Sequence, residues 1–118
     1  MNTLTALQPK FPCVLFNSKR RAEMKSLYEK YCFAGTVFCG RVSDDAPSAK
    51  ITEIVISEKE ATVHYEASPQ HLAWIDKQNL MRAGQAKLEP IQNESFPLVH
   101  FLCAIRKGTI TVLSIPKN

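Results

Sequence analysis

Glycine is scarce in this chain, with four residues among 118, and no phosphate-cradling pattern is built from them. Neither G-x-G-x-x-G nor G-x4-G-K-[ST] occurs, and G-x-S-x-G and H-E-x-x-H are missing too. Dinucleotide binding, P-loop chemistry, nucleophile-elbow hydrolysis and helical zinc-peptidase chemistry therefore lack their sequence signatures. The three His and four Cys show no C-x2-C or H-x3-H spacing. A zinc site would have to be assembled from distant segments, and neither metal nor cofactor is expected. Long hydrophobic runs are absent as well: the longest, residues 96–105, is interrupted by Pro97 and His100 and falls short of the ~20 residues of a spanning helix. The first ten residues hold scattered apolar side chains and then Pro9, which argues against an export signal. A cytoplasmic protein with no membrane partner is the expectation. Cys13, Cys32, Cys39 and Cys103 each lie among apolar neighbours, so four reduced thiols are expected, at least three of them buried.

With 45% hydrophobic and 22% charged residues, the composition falls outside the disordered and disulfide-scaffold classes. It suits one domain over residues 1–118 whose core needs neither metal nor disulfide. The charge is uneven. Residues 1–43 hold seven Lys and Arg against two Glu, a net of +5, and residues 44–118 hold eight bases against nine acids, a net of −1. The basic excess thus belongs to the N-terminal third, which predicts one electropositive face.

Periodicity orders the elements. Residues 11–16 are a short apolar run with a proline, read as an edge strand. Asn17-Ser18 offers an N-cap, and Met24, Leu27, Tyr28 and Tyr31 form a helical stripe that stops near Gly35. Residues 36–42 read as a strand covered on both faces, with a bulge at Gly40, and residues 43–50 as a surface loop. Residues 51–57 and 60–66 flank a Glu58-Lys59 turn and read as a hairpin. Ser68-Pro69 opens a second helix that carries Leu72, Trp74, Ile75 and Leu80 towards a stop at Gly84. A short strand follows at 86–91. Residues 98–106, apolar on every side, read as a central strand that Lys107-Gly108 turns into a final strand at 109–115. The fold expected is α+β: a mainly antiparallel curved sheet of five to seven strands with two helices.

Ser18, Lys19, Arg20 and Arg21, with Lys25 one turn on, are the candidate site. A helix start prefers acids, and three cations there break a local rule, which fits convergence of cations, the Ser18 hydroxyl and orphan amides on an anion. A solvated terminus supported by Lys19–Glu23 and Lys25–Glu29 pairs is the alternative. Tyr28, Tyr31 and Phe33 have core spacing, which weakens a nucleic-acid stacking platform. Cys13 and Arg20 miss the C-x5-R phosphatase spacing by one residue. His64, with Glu60 and Glu66 on the same strand face, forms a candidate acid–base pair. His64, Trp74 and His100 are candidates for an interface or a pocket inside the sheet. The expectation is a non-enzymatic binding protein of accessory or inhibitor type, engaging an acidic protein surface or a nucleic acid through the basic helix face. The alternatives are a small-molecule binder or small enzyme with a pocket in the curved sheet, and a direct nucleic-acid-binding protein.

Overall fold

The computed structural model describes residues 8–40 and 47–116. Residues 43–46 of the loop expected at 43–50 lie outside the described residues, and its end is not loop, because β2 already begins at Ser48. In chain order the elements are a 3-10 turn (Cys13–Leu15), α1 (Arg21–Tyr31), β1 (Val37–Cys39), β2 (Ser48–Ile56), β3 (Ala61–Ala67), α2 (Pro69–Leu80), β4 (Glu94–Pro97), α3 (Leu98–Lys107) and β5 (Thr111–Ser114). The five strands form one antiparallel sheet in the order β4-β3-β2-β1-β5. A small single α+β domain results, with three helices among the described residues where two were expected.

The hairpin forms as its alternation predicts. Ile51 pairs with Tyr65, Ile54 with Val63 and Ile56 with Ala61, and these residues join the main core with Phe38 and Ala49. Ser68 caps α2 by accepting the His71 amide at 3.0 Å, with Pro69 at the first helical position. Its hydroxyl also meets that of Ser48 at 2.5 Å, where both are buried. Ser48 precedes the core-facing Ala49, so it points to the other side of the sheet. The start of α2 is thereby tied to the face away from the main core. β1 is buried at all three positions, as expected for a strand covered twice. Its irregularity lies between Val37 and Phe38 on the β5 side, not at Gly40.

The apolar run at 98–106 is not a strand. It is α3, which presents Leu98, Phe101, Leu102 and Ile105 to the core at helical spacing and ends on Gly108 at φ 84°. Lys107-Gly108 is therefore a helix end, and the chain does not finish on a hairpin: β5 pairs with β1. β4 and β5 run in the same direction at opposite edges, so α3 must carry the chain across the sheet. Phe101 is fully buried, with ring centroids 5.1 Å from Phe38 and 5.4 Å from Phe96. The run at 11–16 is likewise not a strand but a 3-10 turn, closed by Leu15 N–H to Pro12 O at 3.0 Å and Phe16 N–H to Cys13 O at 3.1 Å. The strand expected at 86–91 forms instead at Glu94–Pro97, an edge position that tolerates Pro97. All four cysteines are free thiols, with Cys32 and Cys39 buried and Cys13 and Cys103 half-buried, two buried thiols where three were expected.

Phe101→Ala should lower stability by about 3–5 kcal/mol, the cost of an unfilled aromatic cavity. Val99→Ala, on the half-exposed flank of the same helix, should cost less than about 1 kcal/mol. Urea titration of both variants checks the helical assignment, because a core strand would make the two losses comparable.

Candidate functional site

The structure divides the basic cluster by role. Asn17, not Ser18, organises its entry: its side-chain oxygen accepts the Lys19 amide at 2.8 Å, and its carbonyl accepts the Arg20 amide at 3.0 Å. Arg20 takes the N-cap position without a side-chain cap, and helical geometry begins at Arg21. Ser18 and Lys19 lie in the preceding turn, so the three cations do not share the first helical turn. Arg21 is a structural clamp. Its Nε donates to Cys13 O at 3.0 Å and its Nη2 to Phe16 O at 3.1 Å, which ties the 3-10 turn to the helix start. A planar fork of fixed donors suits this two-carbonyl grip. Lys25 is exposed on α1 and lines a different depression, with Lys10 and Tyr28.

The cation that replaces Arg21 at the site comes from the far end of the chain. Arg106 of α3 donates through Nε to Glu23 Oε1 at 3.0 Å, and Arg20 Nη1 lies 3.7 Å from the same oxygen. All three side chains are exposed to a third or more. Glu23 therefore serves Arg20 and Arg106, and no Lys19–Glu23 pair is made. Beside them, Leu15, Phe16, Asn17, Arg20, Met24, Val99 and Cys103 line an apolar groove of about 180 Å³ between the helix start and α3. Val99, Cys103 and Arg106 recur every three to four residues along one flank of α3, the flank next to its core stripe. Reading 98–106 as a strand hid both Arg106 and this flank.

The other candidates do not meet. His64 lies on β3, 3.2 Å from Thr62 Oγ1, and lines a polar cleft of about 310 Å³ with Glu53, Glu94 and Ser95. Neither Trp74 nor His100 lines that cleft. Glu66 is paired with Lys50 at 3.4 Å instead of with His64, and Glu60 closes the hairpin turn by donating its amide to Ser57 Oγ at 3.1 Å. His100 is exposed on α3. Being three residues apart on a helix, it and Cys103 point to neighbouring directions, not to opposite faces as a strand would require. Among the described residues, no group of three His, Cys, Asp or Glu could hold a metal, and no helix is long and apolar enough to cross a membrane. Trp74 is half-buried, with its ring stacked near-parallel to His71 at 6.3 Å. The helix-covered face of the sheet is filled: Phe38, Tyr65, Phe96 and Phe101 pack with centroids 5.1–6.0 Å apart.

Burial sets the titration of the interior groups. It pushes the Cys32 thiol up to about 12, so this sulfur stays protonated and inert as a nucleophile. Tyr28 is raised by burial and then by Cys32, and Tyr65 by burial and then by its hydrogen bond to Glu94 at 3.0 Å. His71 is held below its ordinary value by burial. In the neutral form its Nε2 accepts the Ile91 amide at 3.3 Å. Asn79 binds both the carbonyl and the amide of Leu88, at 3.0 and 2.7 Å. These contacts fasten the connection between α2 and β4.

The chain matches no protein-family model, no curated protein and no solved structure.

Arg21→Ala should destabilise the fold by about 1–2 kcal/mol, because it strips two carbonyls of a charged donor. Arg20→Ala should stay within about 0.5 kcal/mol. Paired thermal melts distinguish clamp from surface cation. The low His71 pKa predicts a pH effect of definite sign. The unfolded chain takes up this proton near its ordinary 6.5 and the folded chain only at lower pH. Stability is therefore complete above that value and falls as pH drops below it. Urea midpoints measured between about pH 8 and about pH 5 should show this fall, and His71→Gln should flatten it.

Proposed function

We propose that the protein is a non-catalytic, stoichiometric binding protein of accessory or inhibitor type. It engages an acidic surface of another protein through the basic face where α1 begins. The observation that carries this reading is the arrival of Arg106 on the Glu23 oxygen that Arg20 also faces, with Arg20 itself lining an apolar groove. Charge on a rim steers encounter and selects the sign of the partner, whereas an apolar pocket supplies the affinity that exposed ion pairs lack. Lys19 precedes Arg20 in the entry turn and Lys107 follows Arg106 in the last turn of α3, and both are exposed.

Nucleic acid is the weaker partner. Tyr28, nearest in sequence to a stacking platform, is fully buried with its hydroxyl on Pro9 O, and the one ring lining the groove, Phe16, is buried and packed edge to face with Phe11, which leaves no open ring face for a base. A pocket inside the sheet fares worse, since rings fill that side. An enzymatic reading has less behind it: Cys32 is inert, and the Thr62 hydroxyl, 3.2 Å from His64 Nε2, stands beside an imidazole that no third side chain among the described residues orients.

The test replaces Lys19, Arg20 and Arg106 together by Gln and spares Arg21. The variant should melt within a few degrees of the wild type, yet lose the proteins that the wild type captures from its source cell. Capture by the wild type should survive nuclease and weaken as salt rises. Nuclease-sensitive capture would transfer the assignment to nucleic acid, and retention by the triple variant would remove the basic face from the function.

A further inference from the structure

We infer that Glu23 is a built-in placeholder for a carboxylate of the partner, and that the groove beside it receives one apolar side chain from the same acidic segment. This inference rests on the acidic-partner reading and deepens it. Two guanidiniums, one three residues before Glu23 and one 83 residues after it, converge on a single oxygen, Glu23 Oε1, at 3.7 and 3.0 Å. That oxygen accepts one hydrogen bond, from Arg106, and holds Arg20 only as an ion pair, whereas each guanidinium carries five donors in a fork that matches a carboxylate edge to edge. The arrangement is already shaped for a carboxylate and underused by the one it holds. It is also easily exchanged. Each of the three side chains is exposed to a third or more, and pairs of that kind contribute little net stability. A carboxylate entering from solvent could take Arg106 or Arg20 without unfolding anything.

The groove specifies the rest of the ligand. At about 180 Å³ it is smaller than the roughly 300–1,000 Å³ of small-molecule sites, and its walls are the side chains of Leu15, Phe16, Met24, Val99 and Cys103. It suits one aliphatic or aromatic side chain and leaves the charges to its rim. Val99 is 40% exposed there, an apolar surface that a bound side chain would cover. The ligand class is thus an acidic peptide segment with an apolar anchor among its carboxylates, in preference to a free phosphate or a nucleic-acid backbone.

The probe is a fluorescein-labelled synthetic peptide with one Leu flanked on each side by Asp and Glu, titrated with the whole chain and read by anisotropy. Glu23→Gln should bind it about threefold to tenfold more tightly than the wild type, as expected when two exposed pairs no longer compete. Arg106→Gln should bind it more weakly than the wild type. Replacing the peptide's Leu by Ser should weaken binding to every variant alike, and this control leaves the protein unaltered. If the wild type binds the peptide through Arg106 but Glu23→Gln and Glu23→Ala bind no more tightly, the placeholder is wrong and the acidic-partner reading stands. If the Ser peptide binds as well as the Leu peptide, the groove is not the anchor site. Failure of the peptide to bind either the wild type or Glu23→Gln, or displacement of it by a single-stranded oligonucleotide at lower concentration, overturns both.

Discussion

Burial of Phe101 is the contact on which the rest of this structure depends. The ring belongs to the helix that crosses the sheet, and it meets Phe38 of β1 and Phe96 of β4, strands separated by two others. Such a meeting requires the sheet to bend and the residues between to be small. Ala49 stands directly across from Phe38, and Ala67 across from Ala49, so the rings lean over a floor with few side-chain atoms. With Tyr65 joining from β3, the aromatic cluster closes the helix-covered side of the sheet. A cup filled with rings has no room for a ligand. That packing directs attention to the outer surface.

The same helix links the core to the proposed site. One stripe of α3 holds Leu98, Phe101, Leu102 and Ile105 in the interior, and the adjoining flank brings Val99, Cys103 and Arg106 to the helix start. Rotation of the helix about its axis is set by the core, because moving Phe101 out of its cluster would leave a large cavity. The position of Arg106 opposite Glu23 is a by-product of that constraint. On the other side, Arg21 secures the 3-10 turn that supplies Leu15 and Phe16 to the groove. The site is exposed, yet its geometry comes from buried or half-buried contacts.

Some elements were legible from local pattern because one interaction type dominated them. The β2–β3 hairpin follows from period-2 alternation in residues 60–66, and the start of α2 from a Ser-Pro signal whose hydroxyl does cap the helix. The error at 98–106 has a physical cause. A segment apolar at nearly every position shows no contrast between faces, so its period is masked. The helical signals were nonetheless present: Leu98, Phe101, Leu102 and Ile105 stand at i, i+3, i+4 and i+7, two cations close the run, and Gly108 follows. Residues 11–16 misled for another reason. Their turn is held by the Arg21 guanidinium, and a side chain five to eight residues away carries no weight in local propensity.

The amino-acid sequence by itself determined the class of fold, the hairpin, the first two helices, and the concentration of positive charge in the N-terminal third, because each of these depends on composition or on neighbours within a few residues. Tertiary structure alone decided which of those charges stay free of the fold's own carbonyls. Arg21 turned inward to satisfy two carbonyls, Glu23 bound Arg20, and Arg106 arrived from 83 residues away to share its oxygen. It also decided that the groove exists at all, since its two walls come from opposite ends of the chain and become neighbours only when Phe101 and Tyr28 are buried in one core. Contacts between segments so distant in sequence are set by how apolar surfaces fit together in space, and no local pattern encodes that fit.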